Sequence, residues 1–137
     1  ESINYMQNRL PKKSKIFLTH TGNRNICIPG DWTLLCWAIE NLVKNSIDSI
    51  GIDEGHISIN IVSKIKSLSV RITDSGKGIP RKNLKNIFRP GFSTKKRGWG
   101  LGLSLTMRII KEIHQGEIYI LRSRPGDTVF QINLPVS

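Results

Sequence analysis

Leu35, Ile39, Leu42/Val43, Ile47 and Ile50 recur every three or four residues with polar side chains between them. That spacing predicts an amphipathic helix from Trp32 to about Ile50 with one buried side. The pattern then switches to period two. Ile57, Ile59 and Ile61 alternate with polar residues over His56–Ser63, and Leu68, Val70 and Ile72 do the same over Leu68–Asp74. Both stretches read as half-buried strands. Helical spacing returns over Leu101–His114, with Leu105, Ile109 and Ile113 on one side. Two last strands, Glu117–Arg122 and Thr128–Leu134, pair across Arg-Pro-Gly-Asp. Upstream, Lys15–His20 and Asn25–Pro29 look like short strands around a Thr-Gly-Asn turn, and Asp31 is placed to cap the first helix. Pro80-Arg-Lys-Asn-Leu suggests a short helix, and Phe88–Gly98 reads as irregular. The order of elements predicts a two-layer α/β sandwich: a mixed, mostly antiparallel sheet of about five strands with helices on one face.

Length and composition narrow this picture. The 137 residues suit one domain with a real core. Residues 1–14 are polar and lack periodicity, so they read as a linker or the tail of a preceding helical domain, leaving 15–137 as the folded unit. The chain opens on Glu1 and is expected to be a piece of something longer. Hydrophobic content of 38% and charged content of 23% are ordinary for a globular domain. No apolar run approaches the roughly 18 residues needed to span a bilayer. Cys27 and Cys36 show neither metal-site spacing nor a disulfide framework, which predicts a reduced, cytoplasmic setting.

A net charge of +11 is the outlier. Nucleic-acid binding predicts cations interleaved with aromatics or spread along a helix face. Here Lys77, Arg81, Lys82, Lys85, Arg89, Lys95, Lys96 and Arg97 crowd instead into one glycine-bearing segment, where no acidic residue intervenes between Asp74 and Glu112. Glycine-rich backbone near a helix start, ringed by cations, suits a phosphate chain.

Three groups of residues carry the chemistry. On the first helix Asn41, Asn45 and Asp48 fall within about 60° of one another, with Lys44 at the edge of the stripe. Asparagine is a poor helix former, so two of them one turn apart read either as a solvated face or as amide ligands for a hard cation such as magnesium, with Lys44 reaching a phosphate. Asp74 ends a strand and enters Ser-Gly-Lys-Gly. It is either a turn former or a pocket-floor carboxylate accepting from an exocyclic amine, with Gly76 and Gly78 admitting a base close to the backbone. Gly98-Trp-Gly-Leu-Gly102 opens the second helix and offers free amides to an anion, while Ser93-Thr-Lys-Lys-Arg97 adds hydroxyls and three cations.

In this order and spacing the pieces resemble the ATP-binding catalytic domain of two-component sensor histidine kinases, from the superfamily shared with DNA gyrase, mismatch-repair and heat-shock chaperone ATPases. Glu40-Asn-Leu-Val-Lys-Asn-Ser-Ile-Asp-Ser looks like the N box, and Asp74-Ser-Gly-Lys-Gly-Ile-Pro80 like the first glycine box. Ile87-Phe-Arg-Pro-Gly-Phe-Ser-Thr-Lys95 is similar to the F box, and Gly98-Trp-Gly-Leu-Gly-Leu-Ser104 to the second glycine box.

The resemblance implies a Bergerat-type fold, with ATP and Mg2+ as cofactors. It implies that Asn45 binds the metal, that Asn41 and Lys44 lie by the phosphates, that Asp48 belongs to the nucleotide site, and that Asp74 holds the adenine amine in a pocket formed with Gly76, Gly78 and Ile79. Phe88 to Arg97 would form a mobile lid with Thr94, Lys95 and Arg97 at its rim. Gly98, Gly100, Leu101, Gly102 and Leu103 would line the phosphates. Thr128 would join Asp74 in a water-mediated contact to adenine, although Asp127 interrupts the usual Gly-Thr pairing. Gly91 stands where a second aromatic is common. Gyrase-like members place a general-base Glu four residues before the metal Asn. Here that position is Asn41, with Glu40 about 100° around the helix. That argues for phosphoryl transfer over hydrolysis.

The resemblance also implies partners: a dimerisation domain bearing the acceptor histidine, and a response regulator. His20, His56 and His114 precede Thr21, Ile57 and Gln115, so none is followed by the Glu or Asp that the family's acceptor carries. The expected setting is cytoplasmic, including the cytoplasmic part of a membrane-anchored kinase. Two readings compete. One is a stand-alone anti-sigma-like serine kinase of the same fold; the other is a basic nucleic-acid-binding domain, which the charge distribution does not favour.

Overall fold

A computed structural model describes residues 16–21, 32–51, 54–89 and 102–135. Its elements are β1 (Ile16–Thr21), α1 (Trp32–Ile50), β2 (Gly55–Ser63), β3 (Ser67–Asp74), a 3-10 turn (Arg81–Asn83), α2 (Gly102–Arg108) running into a π turn (Ile109–Ile113), β4 (Glu117–Arg124) and β5 (Asp127–Pro135). The expected strand at Asn25–Pro29, the Asp31 cap, the linker at 1–14 and the lid beyond Arg89 lie outside the described residues.

The five described strands form one sheet in the order β1-β2-β3-β5-β4. Among them only β1 runs parallel to its neighbour, so the sheet is mixed and mostly antiparallel, as the alternation pattern predicts. One face carries Ile57, Ile59, Leu68, Val70, Ile72, Ile118, Phe130, Ile132 and Leu134. It packs against Leu35, Ala38, Leu42, Val43 and Ile50 of α1 and against Ile109 and Ile110. The opposite face of β3, β5 and β4 carries a polar ladder. Ser69 Oγ donates to Asn133 Oδ1 at 2.9 Å, Arg71 Nε to Gln131 Oε1 at 2.8 Å, and Gln131 Nε2 to Asn133 Oδ1 at 3.0 Å. Helices on one side and hydrogen-bonded polar side chains on the other satisfy both faces of an antiparallel sheet.

The helices correct two expectations about phase. In α1 the stripe against the sheet is Leu35, Ala38, Leu42, Val43, Ser46 and Ile50, while Ile39 and Ile47 are only partly covered. A serine therefore occupies a core-facing position. In the second helix Thr106, Ile109 and Ile110 are buried, whereas Leu105 and Ile113 are 39% and 46% exposed. The π turn at Ile109–Ile113 inserts a residue into the helical repeat and shifts the phase of the residues after it by about 100°. Simple 3.6-residue counting therefore misplaces Ile113, while Leu105, ahead of the π turn, is exposed because Ser104 and Thr106 occupy the buried side of α2. Accordingly, Ile110→Ala is expected to destabilise the domain by about 2–5 kcal/mol and Ile113→Ala by less than about 1 kcal/mol, read from urea unfolding midpoints.

Candidate functional site

Asp74 is the last residue of β3, the strand flanked by β2 and β5, and it points to the helix side. It is only 3% exposed. Directly across the ladder from it stand Ile57 on β2 and Thr128 on β5, itself buried. Asp74 Oδ1 accepts from the Gly76 amide at 2.9 Å, which closes the turn, and the Ser46 hydroxyl, which donates to the Leu42 carbonyl at 3.2 Å, lies on the covered side of α1 near enough to favour the charged carboxylate. Burial pushes the Asp74 carboxyl above its ordinary value. The Gly76 and Ser46 hydrogen bonds pull it partly back, and the negative charge of Asp127 adds a small upward push.

The glycine turn after Asp74 is held from three sides. Lys77 N–H donates to the Ser49 carbonyl at the end of α1, Gly126 N–H donates to the Gly76 carbonyl at 2.8 Å, and Ile79 N–H donates to Ser123 Oγ at 2.8 Å. Such close approach leaves no room for side chains. A Cβ on Gly76 would collide with Ser49 Oγ, and Gly78, at φ +80°, packs so closely on the Arg124 backbone that a Cβ would lie 2.9 Å from it. Ile79 and Phe88 are half-buried, and the Phe88 ring meets Phe130 edge-on at 6.4 Å between centroids. With Leu84 and the Tyr119–Ser123 stretch of β4, Phe88 lines a recess of about 370 Å³.

A second polar cluster lies further toward the start of α1. Asn41 Nδ2 donates to Thr106 Oγ1 at 3.0 Å, and Thr106 donates in turn to the Gly102 carbonyl at 2.8 Å. Gly102 sits against this amide: a Cβ there would come within 2.9 Å of Asn41 Nδ2. Asn41 thus ties the start of α2 to α1. Between Asn41 at one end and Ser49 at the other, α1 spans about 12 Å, which gives the site an elongated shape. Asn45 lies between them, half-buried, while Lys44 and Asp48 are exposed on the same helix.

Residues 30–137 match the family model described as histidine kinase-, DNA gyrase B-, and HSP90-like ATPase. The chain belongs to this family. It is 40% identical over 111 residues to sporulation kinase A of Bacillus subtilis (strain 168), covering 81% of this chain and 18% of that protein. It is 36% identical over 110 residues to the sensor histidine kinase ZraS of Escherichia coli (strain K12), covering 80% and 23%. The chain thus spans about a fifth of the length of these curated relatives. Among solved structures, the catalytic domain of the histidine kinase ThkA superposes with a TM-score of 0.85 at 31% identity, over 98% of this chain and 89% of that one. ThkA in complex with the response regulator TrrA matches with a TM-score of 0.81 at 27% identity, over 99% and 38%.

Of the residues expected at the site of this ATPase-family domain, Asp74, Gly76, Gly78, Ile79 and Thr128 gather at one end of the sheet, and Asn41, Gly102 and Leu103 meet where α1 faces α2. Thr94, Lys95, Arg97, Gly98, Gly100 and Leu101 lie outside the described residues. Sequence reasoning missed Ser46, Ser49 and Ser123. Ser46 was legible as a polar residue four positions after Leu42 on the covered stripe. Ser49 and Ser123 carry no spacing signal, because their contacts come from other elements.

The raised Asp74 carboxyl has a consequence for stability. The folded state binds this proton more tightly than the unfolded chain does. Its contribution is therefore full below the unfolded carboxyl range and is lost as pH rises through the folded value. Asp74→Asn keeps an acceptor for the Gly76 amide and removes the buried charge. In the absence of ligand its thermal midpoint at pH 7 is expected to equal or exceed that of the unsubstituted protein. The difference should shrink as pH is lowered; a difference unchanged between pH 7 and pH 4 would show that burial does not perturb this carboxyl.

Proposed function

We propose that this domain binds Mg-ATP and presents the γ-phosphate to a histidine on a separate dimerisation domain of the same sensor kinase, with a response regulator as the later phosphate acceptor. The observation that carries the reading is the Asp74 carboxylate, buried at a strand end beside a backbone turn with no room for Cβ atoms. With Oδ1 taken up by the Gly76 amide, the second oxygen is the natural acceptor for the exocyclic amine of adenine. Guanine places a carbonyl oxygen at the corresponding position and would meet a carboxylate unfavourably.

The remaining assignments follow the shape of the site. Gly76, Gly78 and Ile79 flank the base. Asn41, Gly102 and Leu103 stand where the phosphates would lie, with Lys44 exposed beside them and Thr94, Lys95, Arg97, Gly98, Gly100 and Leu101 supplied by the lid and the approach to α2. Asn45 offers an amide oxygen to magnesium, whose other ligands would be phosphate oxygens and water. When bound, the metal offsets negative charge on the transferring phosphoryl group. The work of this chain's residues is to hold the base, align the triphosphate along α1 and keep cations near it. No Glu stands four residues ahead of Asn45, so a general base for hydrolysis is not supplied from that helix face. This domain fits the cytoplasmic part of its parent, where ATP is available.

Calorimetric titration with ATP and GTP in the presence of Mg2+ tests the reading. ATP is expected to bind at least tenfold more tightly than GTP. Asp74→Ala should weaken ATP binding by roughly 10- to 150-fold, the value of one charged hydrogen bond. Asn45→Ala should abolish the tightening that Mg2+ gives. Equal affinity for the two nucleotides would sink the Asp74 assignment, and loss of ATP binding with gain of salt-sensitive DNA binding would favour the nucleic-acid alternative.

A further inference from the structure

β4 contains an irregularity that the nucleotide reading does not use. Its pairing with β5 runs Ile118↔Ile132, Tyr119↔Gln131, Ile120↔Phe130 and then jumps to Arg122↔Val129, Ser123↔Thr128 and Arg124↔Asp127. One residue, Leu121, is left over as a bulge. Without it, strict alternation from Ile118 and Ile120 would turn Arg122 toward the helix side and Ser123 away. The bulge reverses that order and aims Ser123 inward, opposite Thr128, an arrangement bulges commonly make next to active sites.

In that position Ser123 closes a circuit. Its Oγ accepts from Ile79 N–H at 2.8 Å and lies 3.0 Å from Thr128 Oγ1. Thr128 is the cross-strand partner of Asp74, and Asp74 leads through Gly76 and Gly78 back to Ile79. The Ile79 amide occupies one lone pair of Ser123 Oγ, and between the two hydroxyls either oxygen can donate; one arrangement has the serine's hydrogen on Thr128 Oγ1. A threonine hydroxyl that accepts there turns its hydrogen to the pocket side. Thr128 then offers a donor beside the Asp74 acceptor. Adenine presents an acceptor (N1) next to a donor (N6 amine); guanine presents the reverse.

We infer that Ser123 is a positioning residue for base selection: it acts through Thr128, fixing the threonine hydroxyl as a hydrogen donor toward the nucleobase. This rests on the adenine-nucleotide reading above. Ser123 does not itself touch the base. Its neighbourhood is braced independently: Gly126 N–H holds Gly76, and Asp127 takes Arg122 Nε at 2.6 Å and Arg124 at 3.3 Å. Loss of the Ser123 hydroxyl therefore leaves the hairpin anchored to the glycine turn.

The test is nucleotide titration of this chain, unsubstituted and as Ser123→Ala, Ser123→Thr and Ser123→Cys, with ATP by calorimetry and GTP by competition. Ser123→Ala is expected to lower the ATP-over-GTP preference roughly fivefold, the value of one neutral hydrogen bond. Ser123→Thr, which keeps the hydroxyl, should restore it. Ser123→Cys matches serine in shape but bonds weakly, so it should resemble the alanine variant and serves if Ser123→Ala does not fold. In a Thr128→Val background, Ser123→Ala should have no further effect on the preference. A preference unchanged in both Ser123→Ala and Ser123→Cys overturns the inference. So does an equal loss of affinity for both nucleotides, which marks a purely structural role. An unsubstituted protein with no preference for ATP overturns the nucleotide reading itself, whatever Ser123 does.

Discussion

A carboxylate held out of water at the end of a central strand constrains everything around it. Leaving an ionised Asp74 unpartnered in this position would be costly, so its surroundings supply amide and hydroxyl donors in place of solvent. They come from two directions: the Gly76 amide from the turn, and the Ser46 hydroxyl from α1. Neither is a charge. The carboxyl is consequently stabilised enough to stay folded in and not enough to return to its ordinary proton affinity. That intermediate state suits the acceptor role proposed above for its second oxygen. A lysine or arginine partner would have satisfied the carboxylate fully and closed the site.

Supplying those donors requires backbone to come unusually near. The Gly76–Gly78 turn is pressed between the last turn of α1 and the β4–β5 hairpin, with contacts that a single Cβ would break. Three separate elements therefore fix one short loop: α1 through Ser49, β4 through Ser123, and the β4–β5 turn through Gly126. Stiffness at the Asp74 end of the site comes from that convergence. It also explains why the sheet ends in a bulged strand and not a regular one. The extra residue at Leu121 is the means by which β4 sets Ser123, and not Arg122, against Thr128.

Much of this was legible in the amino-acid pattern alone. The strand alternation fixed which faces of β2 and β3 are buried, and the bounds of α1 at Trp32 and Ile50 came from its apolar spacing and the Pro-Gly-Asp start. The motif order pointed to Asp74, the glycine turn and Asn41. The features that the pattern hid have physical causes. Ser46 can sit on a core stripe because its hydroxyl is satisfied by the Leu42 carbonyl one turn back, with the Asp74 carboxylate nearby, and hydrophobic counting discounts such a position in favour of Ile47. Leu105, ahead of the π turn, was misplaced because the buried side of α2 is polar, at Ser104 and Thr106. Ile113 was misplaced because the π turn changes the helical phase, and nothing in apolar spacing announces an inserted residue. The bulge is invisible for the same reason: period-two counting through Ile118 and Ile120 places Ser123 on the wrong face.

These three departures share a direction. In each case a polar side chain or an extra residue breaks the regular period, and two of the three lead to the Asp74 pocket. Regular patterning builds the sandwich, and departures from it build the site. The third departure, the π turn, leaves Ile113 on the surface of the helix whose start meets Asn41. The buried side of the same helix is polar at its start, where Thr106 ties Asn41 of α1 to the Gly102 carbonyl, so here too a polar group and not an apolar one sets where the element begins.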